Sequence, residues 1–220
     1  MSEHSTKSAR RVLDPIDRIS EVLFGLIMVL TFTSSISVAE AGRLEIRTML
    51  LGALGCNLAW GGIDAVLYLM GCAAEHGKGL LTWRAVRQAT DPEQAQKIIA
   101  DALPPVIALL LEPAELELIR RRLLQRPAPP ERVRLGRDDW KGALGVFLLV
   151  FLSTFPVVIP FTLMQNAMLA LRVSNGIAVV MLFIAGLAYG RCVGRSPWAF
   201  GISMVVLGGG LVALTVALGG

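Results

Sequence analysis

The sequence predicts an all-α polytopic membrane protein, with five transmembrane helices and a helical cytosolic insert between helices 2 and 3. Three observations carry this prediction. The chain is 54% hydrophobic and only 17% charged, with a mean hydropathy of +0.62, whereas soluble domains are about a quarter charged. The charge deficit is local: five long stretches are almost uncharged and the charges crowd between them, as in a multi-span helical protein. Finally, lysine and arginine divide unevenly between the two sides that five alternating spans define.

Residues 22–39 carry no charge and are bounded by Glu21 and Glu40. Residues 48–74 are interrupted only by Asp64, and residues 142–164, 173–190 and 198–220 are uncharged. Spanning a bilayer takes about 20 apolar residues at about 1.5 Å each. Alternating barrel strands are absent, so helices must satisfy the backbone in lipid. Residues 1–18 are polar, and the apolar run that follows is long and lacks a clear cleavage site, so it reads as a retained first helix rather than a secretory signal. The resulting segments are a cytosolic tail (1–18), helices 1 and 2 (19–74), the insert (75–141) and helices 3 to 5 (142–220).

Eighteen of the 21 lysines and arginines fall in the tail, the insert and the connection between helices 4 and 5; the other side holds Arg43, Arg47 and Arg172. The positive-inside rule places the N-terminus and insert in the cytosol and the C-terminus outside. The net charge of +4 therefore reports topology. No basic patch interleaved with aromatics points to nucleic acid, and the expected partner is the lipid bilayer.

Cys56, Cys72 and Cys192 form no CxxC pair and are expected as thiols rather than disulfides or metal ligands. His4 and His76 have no partner spacing and read as solvated.

In the insert, "TDPEQAQKIIADALPP" has Thr90 or Asp91 as a candidate N-cap and Pro92 at the first helical position. The run 106–111 is too short to span and is expected to pack on other cytosolic helices or a partner subunit. "EPAELELIRRRLLQRP" reads as a helix in which Glu117 can pair with Arg120 or Arg121. The proline-rich "RPAPPER" is a stiff spacer. Glu75, Glu93, Asp101, Glu112 and Glu115 can supply oxygen ligands to a divalent cation; the other reading is a solvated, salt-bridged helix face.

Asp64 is the sharpest feature. It lies about two turns, or about 10 Å, from the cytosolic end of helix 2. Placing an aspartate there costs about 2.5–3.5 kcal/mol on insertion scales, so it should face the bundle interior or a wet cavity. Asn57, Trp60 and Tyr68 share its helix face, beside Gly61, and the stripe Asn57–Asp64–Tyr68 reads as the wall of an ion path. The competing reading is a packing hydrogen bond. Helix 1 carries Thr31, Thr33, Ser34, Ser35 and Ser37, which either join helices or ligate a passing cation, and Met28 offers a thioether. Pro156 and Pro160 predict a kink in helix 3 and freed carbonyls. Gly186, Gly190 and Gly194 repeat every four residues and predict close helix contact. Enzymatic function is the weakest class. No nucleophile elbow, P-loop, HExxH or dinucleotide fingerprint is present, and an intramembrane aspartyl protease would need a second deep carboxylate opposite Asp64.

Taken together, "DWKGALGVFLLVFLSTFPVVIPF" and "GLAYGRCVGRSPWAFGISMVVLGGGLVALTVALGG" resemble the third to fifth helices of the vacuolar iron transporter family. "SEVLFGLIMVLTF" and "LLGALGCNLAWGGIDAVLYL" resemble its helices 1 and 2 less closely. The resemblance implies a homodimer in the bacterial inner (plasma) membrane, with the path near the faces of helices 1 and 2. It also implies export of Fe²⁺ or Mn²⁺ from the cytosol in exchange for protons. No resident cofactor is implied, only a transported divalent cation and a proton. The chain departs from the family at three places, one of them the cytosolic segment, which lacks the family's dense glutamate pattern and its methionine. The helix 1 acid falls here at Met28, and the helix 2 methionine near Ile63, beside Asp64. Either acid and thioether have traded helices or the transport site is lost. The expected ion-pathway residues are Asp64, Met28, Asn57, Tyr68, Thr31 and Ser35, and the expected metal ligands are Asp64, Glu75, Glu112 and Glu115. The alternative is a non-transporting scaffold or regulator that keeps the family fold.

Overall fold

The structure, a computed structural model, describes residues 15–34 and 43–217. Ser35, Ser37, Glu40 and His4 lie outside the described residues. The described chain is all-helical: α1 (Pro15–Ser34), α2 (Arg43–Gln88), α3 (Pro92–Asp101), α4 (Pro105–Leu110), α5 (Pro113–Gln125), α6 (Arg137–Ser153), α7 (Phe155–Leu163), α8 (Ala167–Cys192) and α9 (Pro197–Ala217).

Among the described residues three helical segments are long and apolar enough to cross a membrane: Ile46–Gln88, Arg137–Leu163 and Ala167–Cys192. Ile19–Thr31 in α1 and Pro197–Leu211 in α9 are shorter apolar stretches. The largest departure from expectation is α2. The charges from Glu75 onward end the apolar run, yet the helix continues to Gln88 without interruption. Nothing in residues 43–88 breaks it, since the segment contains no proline.

The chain divides into two compact units, Met1–Tyr68 with Asp138–Gly220, and Leu69–Arg137. In the first unit α8 packs on α9, α7 and α1. Its core holds Leu26, Val29 and Leu30 from α1, Met49, Leu50 and Ala53 from α2, Val157, Val158 and Phe161 from α7, and Ala170, Ala178 and Leu182 from α8. Gly186 and Gly190 admit α9 closely. A Cβ at Gly186 would fall 2.6 Å from Phe200 O, and one at Gly190 2.7 Å from the Pro197 Cα. Gly194, at φ +69°, terminates α8 in the left-handed region, and Arg195 N–H returns to Gly190 O at 3.0 Å.

The expected interruption in helix 3 falls at Thr154, between α6 and α7, with Pro156 in the first turn of α7 and Pro160 within it. Ser174 Oγ of α8 donates to Val157 O at 2.7 Å, so a neighbouring hydroxyl bonds the backbone of the proline-containing turn.

In the second unit, Val86, Ala95 and Ile99 are buried with Leu103, Leu116, Ile119 and Leu123 packed on them. Asp91 caps α3, its Oδ1 accepting from Glu93 N–H at 3.3 Å, with Pro92 at the first position. Glu117 pairs with both Arg120 (2.7 Å) and Arg121 (2.9 Å). None of the α4 residues is buried, and Val106, Leu109 and Leu110 are exposed. The three cysteines form no disulfide.

Candidate ion pathway

The polar stripe of α2 is a packed seam in the first unit, where α2 meets α1 and α6. The pairings run antiparallel to both neighbours. At one level Asn57, with no exposed surface, donates through Nδ2 to Thr154 Oγ1 at 2.7 Å and to Gly25 O at 3.3 Å. One amide thereby ties α1, α2 and the break between α6 and α7. Thr154 in turn donates to Phe151 O at 2.8 Å. One turn further along α2, Trp60 meets Phe24 of α1 edge to face, with centroids 5.3 Å apart.

At the next level Asp64 stands opposite Glu21 of α1, near enough for the two carboxyl groups to interact. A hydrogen bond between two carboxyl groups requires a proton on one of them, because an ionised carboxylate only accepts. Lower still, the Tyr68 ring lies against Gly142 of α6, where a Cβ would come within 2.5 Å of it. Small residues permit the seam. A Cβ at Gly25 would fall 2.6 Å from Val150 O, and one at Gly61 3.1 Å from Phe147 O.

Two oxygens on this seam are left over. Among the described residues, Asp64 Oδ2 and Asn57 Oδ1 are buried and have no hydrogen-bond partner. Buried acceptors normally find one, and each exception calls for a physical reason.

The other expected pathway residues are placed as follows. Met28 is half-buried on α1, one turn beyond Gly25 and on the Glu21–Gly25 face by helical periodicity. Thr31 Oγ1 donates to Ile27 O at 2.9 Å and Thr33 Oγ1 to Leu30 O at 3.2 Å, so both hydroxyls are bonded to their own helix. Ser35 is outside the described residues.

Glu75, Glu112 and Glu115 all lie in the second unit and are exposed. Glu115 Oε2 accepts from Glu112 N–H at 2.9 Å and so caps the start of α5. Among the described residues no three His, Cys, Asp or Glu side chains come together as a metal-holding group. Glu117 is the strongly perturbed acid of this unit. Hydrogen bonds from Arg120, then Arg121, hold its carboxyl well below its usual value.

In the sequence Glu21 merely bounds the first uncharged stretch, and Asp64 stands as a single deep acid. The structure gives Asp64 a carboxyl partner. The signal available in sequence was spacing: Glu21, Gly25 and Met28 lie on one face of α1, and Met28 marks the position where a resemblance to metal transporters calls for an acid. Glu21 lies two turns before it.

Comparison with known proteins agrees with this architecture over the C-terminal part of the chain. None of the curated proteins matches the chain. A VIT family model matches residues 81–220, well over half of the sequence, beginning after both Glu21 and Asp64. With its membrane-length helices and its closely packed C-terminal bundle, the chain belongs to the VIT family, whose members are membrane metal-ion transporters.

Proposed function

We propose that this protein exports a divalent metal ion, Fe²⁺ or Mn²⁺, from the cytosol in exchange for protons, and that the Asp64–Glu21 pair is the exchange site. The observation carrying this reading is the apposition of two carboxyl groups on facing apolar helices, with one Asp64 oxygen buried and unsatisfied.

Two bare carboxylates at that range repel strongly in a medium of low dielectric. One proton relieves the repulsion and so does one divalent cation. Loading a cation onto the singly protonated pair releases one proton: a pair of charge −1 plus a dication gives a neutral complex plus H⁺. Carboxylate oxygens are hard donors suited to Mn²⁺ and acceptable to Fe²⁺. With two side-chain carboxylates rather than a full cage, the ion keeps part of its water and can leave again. Asn57 Oδ1 and the Met28 thioether continue the same seam and are the next acceptors toward the outside. Tyr68 and Thr31 flank the path, and Ser35 is assigned to its outer end.

Five spans, with α1 and α9 as the first and last, follow from the uncharged stretches. A cytosolic N-terminus and an external C-terminus follow from the eighteen-to-three distribution of basic residues. The bacterial inner membrane is the location that best fits this topology. Two protomers pair through the faces of α1 and α2, where Leu51, Leu58, Ile63, Val66, Leu67 and Met70 are exposed. Glu75, Glu112 and Glu115, each exposed, attract cations to the cytosolic side.

In proteoliposomes, Fe²⁺ or Mn²⁺ flux driven by a pH gradient should vanish in Asp64→Asn and fall at least tenfold in Glu21→Gln. Undiminished flux in Asp64→Asn rejects the assignment. The second reading, a membrane scaffold in which Asp64 joins helices, draws on the absence of a three-ligand group among the described residues. It requires that Asp64→Asn keep function, while bulky replacements at Gly61 or Gly190 break assembly.

A further inference from the structure

We infer that the cleft between α2 and the proline-rich connection binds the phosphate headgroup of an anionic phospholipid. The cleft lies entirely in the second unit, has a volume of about 320 Å³, and is lined by His76 and Leu80 of α2 and by Pro130, Arg132, Val133 and Arg134 of the connection.

Its walls are fastened. Arg84 Nη2 donates to Pro130 O at 2.6 Å, Arg87 Nη1 to Arg126 O at 2.9 Å, and Trp83 Nε1 to Leu123 O at 3.2 Å. The connection, made stiff by three prolines, is thereby pinned along one side of α2. Gly77 lets it approach, since a Cβ there would meet Val133 Cγ2 at 3.7 Å.

Its arginines supply positive charge. Residues 126–137 hold four arginines and one acid, Glu131. Arg132 and Arg134 are exposed, and among the described residues neither takes part in a salt bridge. Arginine matches phosphate oxygens with a rigid fork of donors.

Along the chain it adjoins the membrane-length segments. Arg134 precedes Arg137, where a 27-residue apolar span begins, by three residues, or about 10 Å of chain at most. His76 follows the uncharged run of α2 by two residues. Trp140, 60% exposed, is the kind of residue that sits at a membrane interface. In the topology proposed above, on which this inference rests, this side is the cytosol, whose leaflet carries anionic lipid that attracts juxtamembrane basic residues. Leu80 and Val133 beside the arginines favour a lipid over a free phosphate, because an acyl-glycerol stem can cover them while the headgroup meets the cations.

The test uses the full-length protein in neutral detergent and a fluorescent phosphatidylglycerol as probe. Unlabelled phosphatidylglycerol should compete, while phosphatidylcholine and inorganic phosphate should not. Arg132→Gln with Arg134→Gln should weaken binding about thirtyfold, the loss expected for two cations at an anionic surface. Arg132→Lys with Arg134→Lys should keep most of it, which guards against a folding defect. Lys97→Gln with Arg122→Gln, which removes the same charge from the exposed surface of α3 and α5, should leave binding unchanged. Wild-type affinity in the double glutamine variant overturns the assignment, as does equal loss in the Lys97 and Arg122 control. Competition by inorganic phosphate or phosphatidylcholine at matched concentration overturns the lipid headgroup as the ligand.

Discussion

At the scale of single residues, the seam between α1, α2 and α6 depends on what is missing as much as on what is present. Gly25 leaves room for Val150 O and for Asn57 Nδ2 to reach its own carbonyl. Gly25→Ala should cost about 1–3 kcal/mol, the usual penalty of overpacking, because the nearest backbone atom cannot move as a side chain can. Gly62→Ala, where a Cβ would meet nothing within 4 Å, is the matched control and should be neutral. Thermal unfolding of both variants in detergent separates the two outcomes. Asp64 was legible from sequence as a lone acid in an apolar run. Glu21 was not legible as its partner, because helical periodicity reports which residues share a face of one helix and is silent on which face of another helix it meets. Asn57 was legible as part of the stripe but not as a tie among three helices, for the same reason.

At the scale of elements, helix continuity follows punctuation rather than charge. The apolar run of α2 ends before Glu75, yet the helix goes on to Gln88, since charges do not stop a helix and only prolines or committed caps do. The helices of the insert were legible because such punctuation frames them: Asp91 and Pro92 open α3, and Pro113 opens α5. The pairing of Glu117 with Arg120 and Arg121 also followed from spacing alone. What spacing could not show was its third partner, Gln96 of α3, whose Nε2 donates to it at 3.2 Å and so joins two helices. The Glu117 carboxyl is held below its usual value near 4.5. Its contribution to stability is therefore complete above the unfolded-state value and declines as pH falls below it toward the folded value. At pH about 7, Glu117→Gln should weaken protection of α5 in hydrogen exchange, and the difference from wild type should shrink steadily below pH about 4.5. A difference that stays constant down the same range would show that the ion pairs contribute nothing.

At the scale of the whole molecule, composition and charge asymmetry announced a membrane protein before any motif did. The family match then supplied what composition cannot, a class of cargo. It covers residues 81–220 and so leaves the acid pair to stand on geometry and electrostatics alone. In this chain Glu21 of α1, two turns before Met28, faces Asp64 of α2. The proposed site therefore rests on two carboxyl groups that share one proton, rather than on an acid and a thioether. The most direct test is proton release on metal binding by the purified protein in weakly buffered detergent. Adding Mn²⁺ should release about one proton per site at neutral pH, and Asp64→Asn should abolish both the release and the binding. Binding of Mn²⁺ without proton release, or the same release from Asp64→Asn, would contradict the account.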